Sequence, residues 1–202
     1  MNKINYLFIG KDPYFFNTEK MKVDENAEYK NIQLKNYPTE NVAFFPYYTD
    51  GKRENNNEWL NIVTFRRIIG LLSKKQLSCI DDFHTTFQKK PEQIAFDYQK
   101  KGVYFCNLNE IKANITKESI NSLIIENDNK FWEIDTNTKV LCFGSDAIKY
   151  FKTKQLYKNH SSNLGTFPHP SSNNYNVFWK HYDKDFNPII HNLDIDLLPP
   201  TP

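Results

Sequence analysis

The sequence lacks a paired-cysteine motif: its three cysteines, Cys79, Cys106 and Cys142, form no CxxC pair and are odd in number. Two of them sit inside apolar, strand-like runs, so they read as buried, reduced thiols with no disulfide framework. An iron–sulfur cluster needs about four thiolates, which excludes one held by this chain alone. Neither a GxGxxG nor a P-loop sequence occurs, which weakens readings built on a phosphate cradle. Long hydrophobic runs are missing too. The stretch Tyr6–Ile9 is broken at once by Gly10, Lys11 and Asp12, too soon for a signal-peptide core or a membrane span. An intracellular protein with no membrane partner is expected. Net charge is only +2, so the field of the whole molecule would not by itself concentrate it on a polyanion.

What is present fits one α/β domain spanning residues 1–202, with 197–202 as a proline-rich tail. The charged fraction of 25% and aromatic fraction of 15% are those of a globular chain. Four short apolar runs read as buried strands: Ile4–Gly10, Val103–Asn107, Val140–Gly144 and Leu164–Pro168. Helical patterns fall between them at Glu58–Ser73, Pro91–Lys101, Lys117–Glu126 and from Ser145 through Ile148, Tyr150 and Phe151. Alternation of this kind predicts a three-layer α/β/α sandwich around a central four-stranded parallel sheet. The polar stretches Asn17–Thr39 and Asp50–Glu58 read as surface loops. Lys149–Lys158, basic with interleaved aromatics, reads as a solvated helix face, with a groove for nucleic acid as the alternative.

Ligands of open parallel sheets bind beyond the carboxyl ends of the strands, and three such ends carry chemistry-bearing residues. After the first strand comes Gly10-Lys11-Asp12-Pro13-Tyr14-Phe15-Phe16, an acid fixed before a proline and followed by aromatics. The second strand closes on Asn107, whose amide both donates and accepts and so can read a base edge. The fourth leads into Phe167-Pro168-His169-Pro170-Ser171-Ser172-Asn173-Asn174, where a titratable side chain is held between two prolines. Each feature alone has an ordinary structural reading as a turn.

Together, in this order and at these positions, they resemble the uracil-DNA glycosylase superfamily. GKDPYFF resembles the signature GQDPYH, GVYFCNLN the strand GVLLLNT, VLCFGSDA the strand and turn LLWGxxA, and FPHPSSNN the signature HPSPLS. The resemblance implies a DNA N-glycosylase that removes uracil or a related pyrimidine and leaves an abasic site, working as a monomer without cofactor or metal, in the cytoplasm or on the nucleoid. It implies that Asp12 orients the attacking water and supports the cation-like sugar, and that His169 donates toward O2 of the departing base. Asn107 would read the base edge, with Lys11 beside it, and Tyr14 would exclude a methyl group at C5. Phe44 or Phe45 would stack on the base. Pro13, Pro170, Ser171, Ser172 and Asn173 would contact DNA next to the extruded nucleotide.

The sequence also departs from the family pattern. Lys11 replaces a glutamine, Phe15 a histidine, and Asn173 the leucine that wedges into the duplex. A preference for single-stranded DNA or weakened duplexes is therefore expected, with Asn174, Tyr175 and Phe178 as candidate substitute wedges. Two alternatives stand beside this one: a glycosylase for a modified base, and a DNA-binding member of the fold without catalysis.

Overall fold

The computed structural model describes residues 2–11, 43–45, 63–73, 91–127, 130–171 and 175–180. In chain order these form β1 (Asn2–Lys3), β2 (Tyr6–Gly10), α1 (Val63–Ser73), α2 (Pro91–Lys100), β3 (Val103–Asn107), α3 (Leu108–Asn114), β4 (Ile115–Glu118), β5 (Ser122–Asn127), β6 (Lys130–Asp135), β7 (Lys139–Phe143), α4 (Ser145–Lys152), α5 (Gln155–Asn159), β8 (Leu164–Phe167) and α6 (Tyr175–Trp179). Strands β3, β2, β7 and β8 lie side by side in that order, and every pair is parallel. The α/β class and the central four-stranded parallel sheet thus follow the sequence reading.

Strand alternation sends successive side chains to opposite faces, and both faces here are covered. Phe8, Phe105, Leu141, Phe143 and Phe167 pack on one side with Phe65, Ile68, Ile69 and Leu72 of α1, Ile94 and Tyr98 of α2, and Phe178 of α6. Four of these phenylalanines form a band across the sheet: Phe105 to Phe8 at 5.0 Å, Phe8 to Phe143 at 5.7 Å, and Phe143 to Phe167 at 5.1 Å between ring centroids. Leu7, Ile9, Cys106, Val140, Cys142 and Leu164 pack on the other side with Ala147 and Phe151 of α4 and Leu156 and Tyr157 of α5. Cys106 and Cys142 are free and buried, and burial pushes both thiols well above their ordinary range. Cys79 lies outside the described residues.

One expected element is corrected. Lys117–Glu126 is not a helix but the end of β4, a turn, and most of β5. Strands β4, β5 and β6 form an antiparallel meander that β1 extends through a parallel pairing with β6, giving a second four-stranded sheet. The apolar residues Ile120, Leu123 and Ile124 are spaced as on a helix face. The structure follows the period-two pattern, in which Leu123, Ile125, Trp132 and Ile134 are buried. Ser119 forces the reversal: its hydroxyl accepts hydrogen bonds from the backbone N–H groups of Asn121 and Ser122, a side-chain-built turn that competes with helix.

The remaining boundaries shift little. The first helix is described from Val63 onward, and residues 58–62 lie outside the described set. The two sheets are tied together at Thr138, fully buried between β6 and β7, whose hydroxyl donates to the Ile4 carbonyl at 2.8 Å. Among the described residues, no helix is long and apolar enough to cross a membrane.

Candidate active site

Register fixes where the parallel strands end. Gly10 pairs with Asn107, Ile9 with Cys142, and Phe143 with Phe167, so Asn107, Gly10, Phe143 and Phe167 form one row at the carboxyl edge. With neighbouring strands about 4.8 Å apart, that row is about 14 Å wide. Alternation places the Asn107 side chain on the phenylalanine face, in line with Phe105. Asn107 is 2% exposed. It occupies the N-cap of α3, yet its side chain does not cap that helix, the duty an asparagine there most often performs.

Gly10 leaves a gap between Asn107 and Phe143, and Phe44 fills it. A β-carbon on Gly10 would stand 3.1 Å from Phe44 Cζ, so a side chain at Gly10 would crowd the Phe44 ring. Phe44 meets Phe143 edge-on at 5.3 Å. Its backbone sits at φ 73°, a left-handed conformation that costs a bulky residue on the order of 1–3 kcal/mol and persists only where the surroundings impose it. Both rings are buried in the core on the phenylalanine face, Phe45 against Phe65 and Phe105. Of the two phenylalanines, only Phe44 lies beside the strand ends. The Ala43 N–H donates to the Phe105 carbonyl at 3.2 Å and anchors this segment along β3.

His169 follows β8, at the end of the row away from Asn107. The Gly144 N–H donates to the Phe167 carbonyl at 2.9 Å, which draws the turn after β7 against the segment after β8. A β-carbon on Gly144 would lie 3.4 Å from His169 Cβ and 3.5 Å from its Cδ2, so the half-buried imidazole rests on the bare backbone of that turn. Gly144 has φ 94° and ψ 160°, a conformation essentially confined to glycine. Pro170 is buried and Ser171 half-buried. The Ser171 carbonyl accepts a hydrogen bond from Arg67 of α1.

Lys11 extends past β2 and pairs with Asp146 in the first turn of α4, Nζ to Oδ2 at 3.1 Å, both side chains exposed. The hydrogen bond from Lys11 holds the Asp146 carboxyl below its ordinary range. Comparison with family models, curated proteins and solved structures finds no match.

The structure therefore brings Lys11, Phe44, Asn107 and His169 to one edge of the sheet, with Pro170 and Ser171 beside them, and packs Phe45 against Phe65 and Phe105. Asp12, Pro13, Tyr14, Ser172 and Asn173 lie outside the described residues. Among the described residues, no group of three His, Cys, Asp or Glu side chains could hold a metal ion. The sequence reading missed three neighbours of this edge: Gly144, Asp146 as the partner of Lys11, and Arg67. The signal for Arg67 was a pair of cations, Arg66 and Arg67, inside the apolar run Val63–Leu72; Gly144 and Asp146 lay within the VLCFGSDA turn, whose motif did not give either of them a role at the site.

Proposed function

We propose that the protein is a DNA N-glycosylase that hydrolyses the bond between deoxyribose and uracil or a closely related pyrimidine. The observation that carries this reading is the placement of a buried amide, Asn107, and the ring of Phe44, whose backbone is strained, at the same carboxyl edge of the sheet as His169. An aromatic ring and a nearby amide are the two groups needed to stack a flat base and read its edge. Uracil offers O4 as acceptor next to N3–H as donor, a pattern that a fixed asparagine amide matches and cytosine reverses. The motif resemblance supplies the remaining roles.

In the reaction, the C1′–N1 bond breaks and its electron pair leaves with the base. His169 stabilises the charge that gathers on O2, and Asp12, next after Lys11 in sequence, balances the cation-like sugar and aims a water at C1′. The water oxygen bonds to C1′, one of its protons is lost to Asp12 and then to solvent, the departed base anion takes up a proton from solvent, and the products are free base and an abasic site. Lys11 stands where the family has glutamine, and its pairing with Asp146 sets a charged couple at the mouth. That couple favours the second reading, a modified pyrimidine with a polar substituent.

The test is base release from single-stranded oligonucleotides carrying uracil or one modified pyrimidine each. Wild type is expected to free uracil. Asp12→Asn and His169→Ala are each expected to lose activity by about 10²–10³-fold, the usual effect of removing a group that stabilises developing charge. Full activity in both variants would overturn their roles. Asn107→Asp is expected to lose the uracil preference and gain release of cytosine, and an unchanged substrate ranking would remove Asn107 from base reading.

A further inference from the structure

The buried cation of α1 has no part in the chemistry just described. Arg67 is 4% exposed, follows the half-buried Arg66, and opens the stretch Arg67–Ser73 that is buried throughout. Burying a guanidinium is costly unless its donors and its face are both used. Arg67 uses both. One NH donates to the Ser171 carbonyl, 104 residues away in sequence, and the guanidinium carbon lies 5.8 Å from the ring centroid of the fully buried Phe178. The two contacts fall on either side of positions 172–174, one on the segment that carries His169 and the other on α6.

We infer that Arg67 is the positioning residue of the His169 segment, fixing Pro168–Ser171 against α1 and α6 so that the imidazole stays seated over Gly144. Proline supplies the other half of this device. Pro168 and Pro170 restrict the backbone around His169 but have no N–H with which to anchor it, and Arg67 adds a donor at the Ser171 carbonyl. Arginine suits the place because a planar guanidinium donates in its plane while stacking through its face, and an ammonium cannot do both. The kinetic part of this inference rests on the glycosylase reading; the structural part does not.

Arg67→Met, an apolar replacement of similar length, and Arg67→Lys separate positioning from support of the fold. Both are expected to fold with the sheet intact and to lose about 10²-fold in kcat with little change in KM, the scale of loss when a catalytic group is misplaced by about 1 Å. Lysine is not expected to rescue. In a His169→Ala background, Arg67→Met is expected to cost nothing further, because its effect passes through the imidazole. Hydrogen exchange provides a readout that needs no activity: the amides of His169 and Ser171 should exchange faster in Arg67→Met, while those of β2 and β7 keep their protection.

Unchanged exchange at His169 and Ser171, or a loss of protection spread evenly over the sheet, would overturn the inference. So would an undiminished kcat. Should wild type release no base from any oligonucleotide, the proposed function fails on its own, and the exchange result still decides the role of Arg67.

Discussion

The two sheets of this protein follow opposite rules. In the parallel sheet, β3 is buried along its whole length and β2 and β7 at all but their first residue, because helices cover one face while helices and the meander cover the other. In the meander, β4 is exposed after its first residue, and β6 buries only Trp132 and Ile134. Polar residues are therefore routine in the meander and carry no functional signal there. In the parallel sheet a polar residue must be explained. Asn107 at the end of β3 stands out for that reason, as does the glycine that ends β2. Chemistry collects where covered strands stop and side chains cease to be packing elements.

This contrast is a division of labour, and it can be broken. Trp132 is 3% exposed and packs the meander onto the parallel sheet, in one core cluster with Tyr104. Trp132→Ala is expected to cost about 3–5 kcal/mol, the usual cost of emptying a buried aromatic site, read from urea unfolding. Base release per folded molecule should stay at the wild-type value. A rate per folded molecule that falls with stability would show that the meander shapes the site after all.

A finer comparison sets the two ends of the parallel sheet against each other. Gly144 at the carboxyl end and Gly102 at the amino end both have positive φ, 94° and 77°. Alanine at either position is expected to destabilise by about 1–3 kcal/mol through backbone strain. Only Gly144→Ala should also reduce base release beyond what stability explains, because the strained turn it would shift is the one His169 rests on, while at Gly102 the methyl group meets the Asn5 side chain at the other end of the sheet. Equal losses of activity in the two variants would erase the distinction between the ends.

The sequence showed the parallel sheet clearly because each of its strands is a short apolar run bounded by glycine or proline, a pattern that survives without tertiary context. The meander was misread at Ile120–Ile124, where three apolar residues match a helical spacing. Only the Ser119 turn and the cross-strand partners Trp132 and Ile134 decide for period two, and those partners are non-local. At the site, Asn107 and His169 were legible because an amide and a proline-flanked imidazole are odd residues to find at strand ends. That Phe44 rather than Phe45 lies against Gly10 was not legible. It depends on the left-handed backbone at Phe44 and on the gap above Gly10, neither of which has a sequence signature. Arg67 was hidden because a cation in a helix ordinarily faces water.

The smallest effect is expected where the meander is latched to the helical layer. Glu118 at the end of β4 accepts from Lys154 Nζ at 2.8 Å and from the Gln155 N–H at 3.3 Å, so its carboxylate stands at the N-terminus of α5, where negative charge is favoured. Lys154 lies 4.5 Å from the Tyr150 ring centroid, which fixes one side of the pair. The hydrogen bond from Lys154 holds the Glu118 carboxyl below its ordinary range. A carboxyl depressed in the folded state adds stability above its unfolded pKa and loses it as the pH falls through the folded one. Glu118→Gln should therefore lower stability by about 0.2–1 kcal/mol at neutral pH, the range for solvent-facing pairs, and the difference should close below the ordinary carboxylate range. Urea midpoints of both proteins across that pH span provide the check. A difference that stays constant into acid would mean that Glu118 acts by packing; one that closes in acid assigns this contact between the meander and the helical layer to charge, unlike the apolar contact at Trp132.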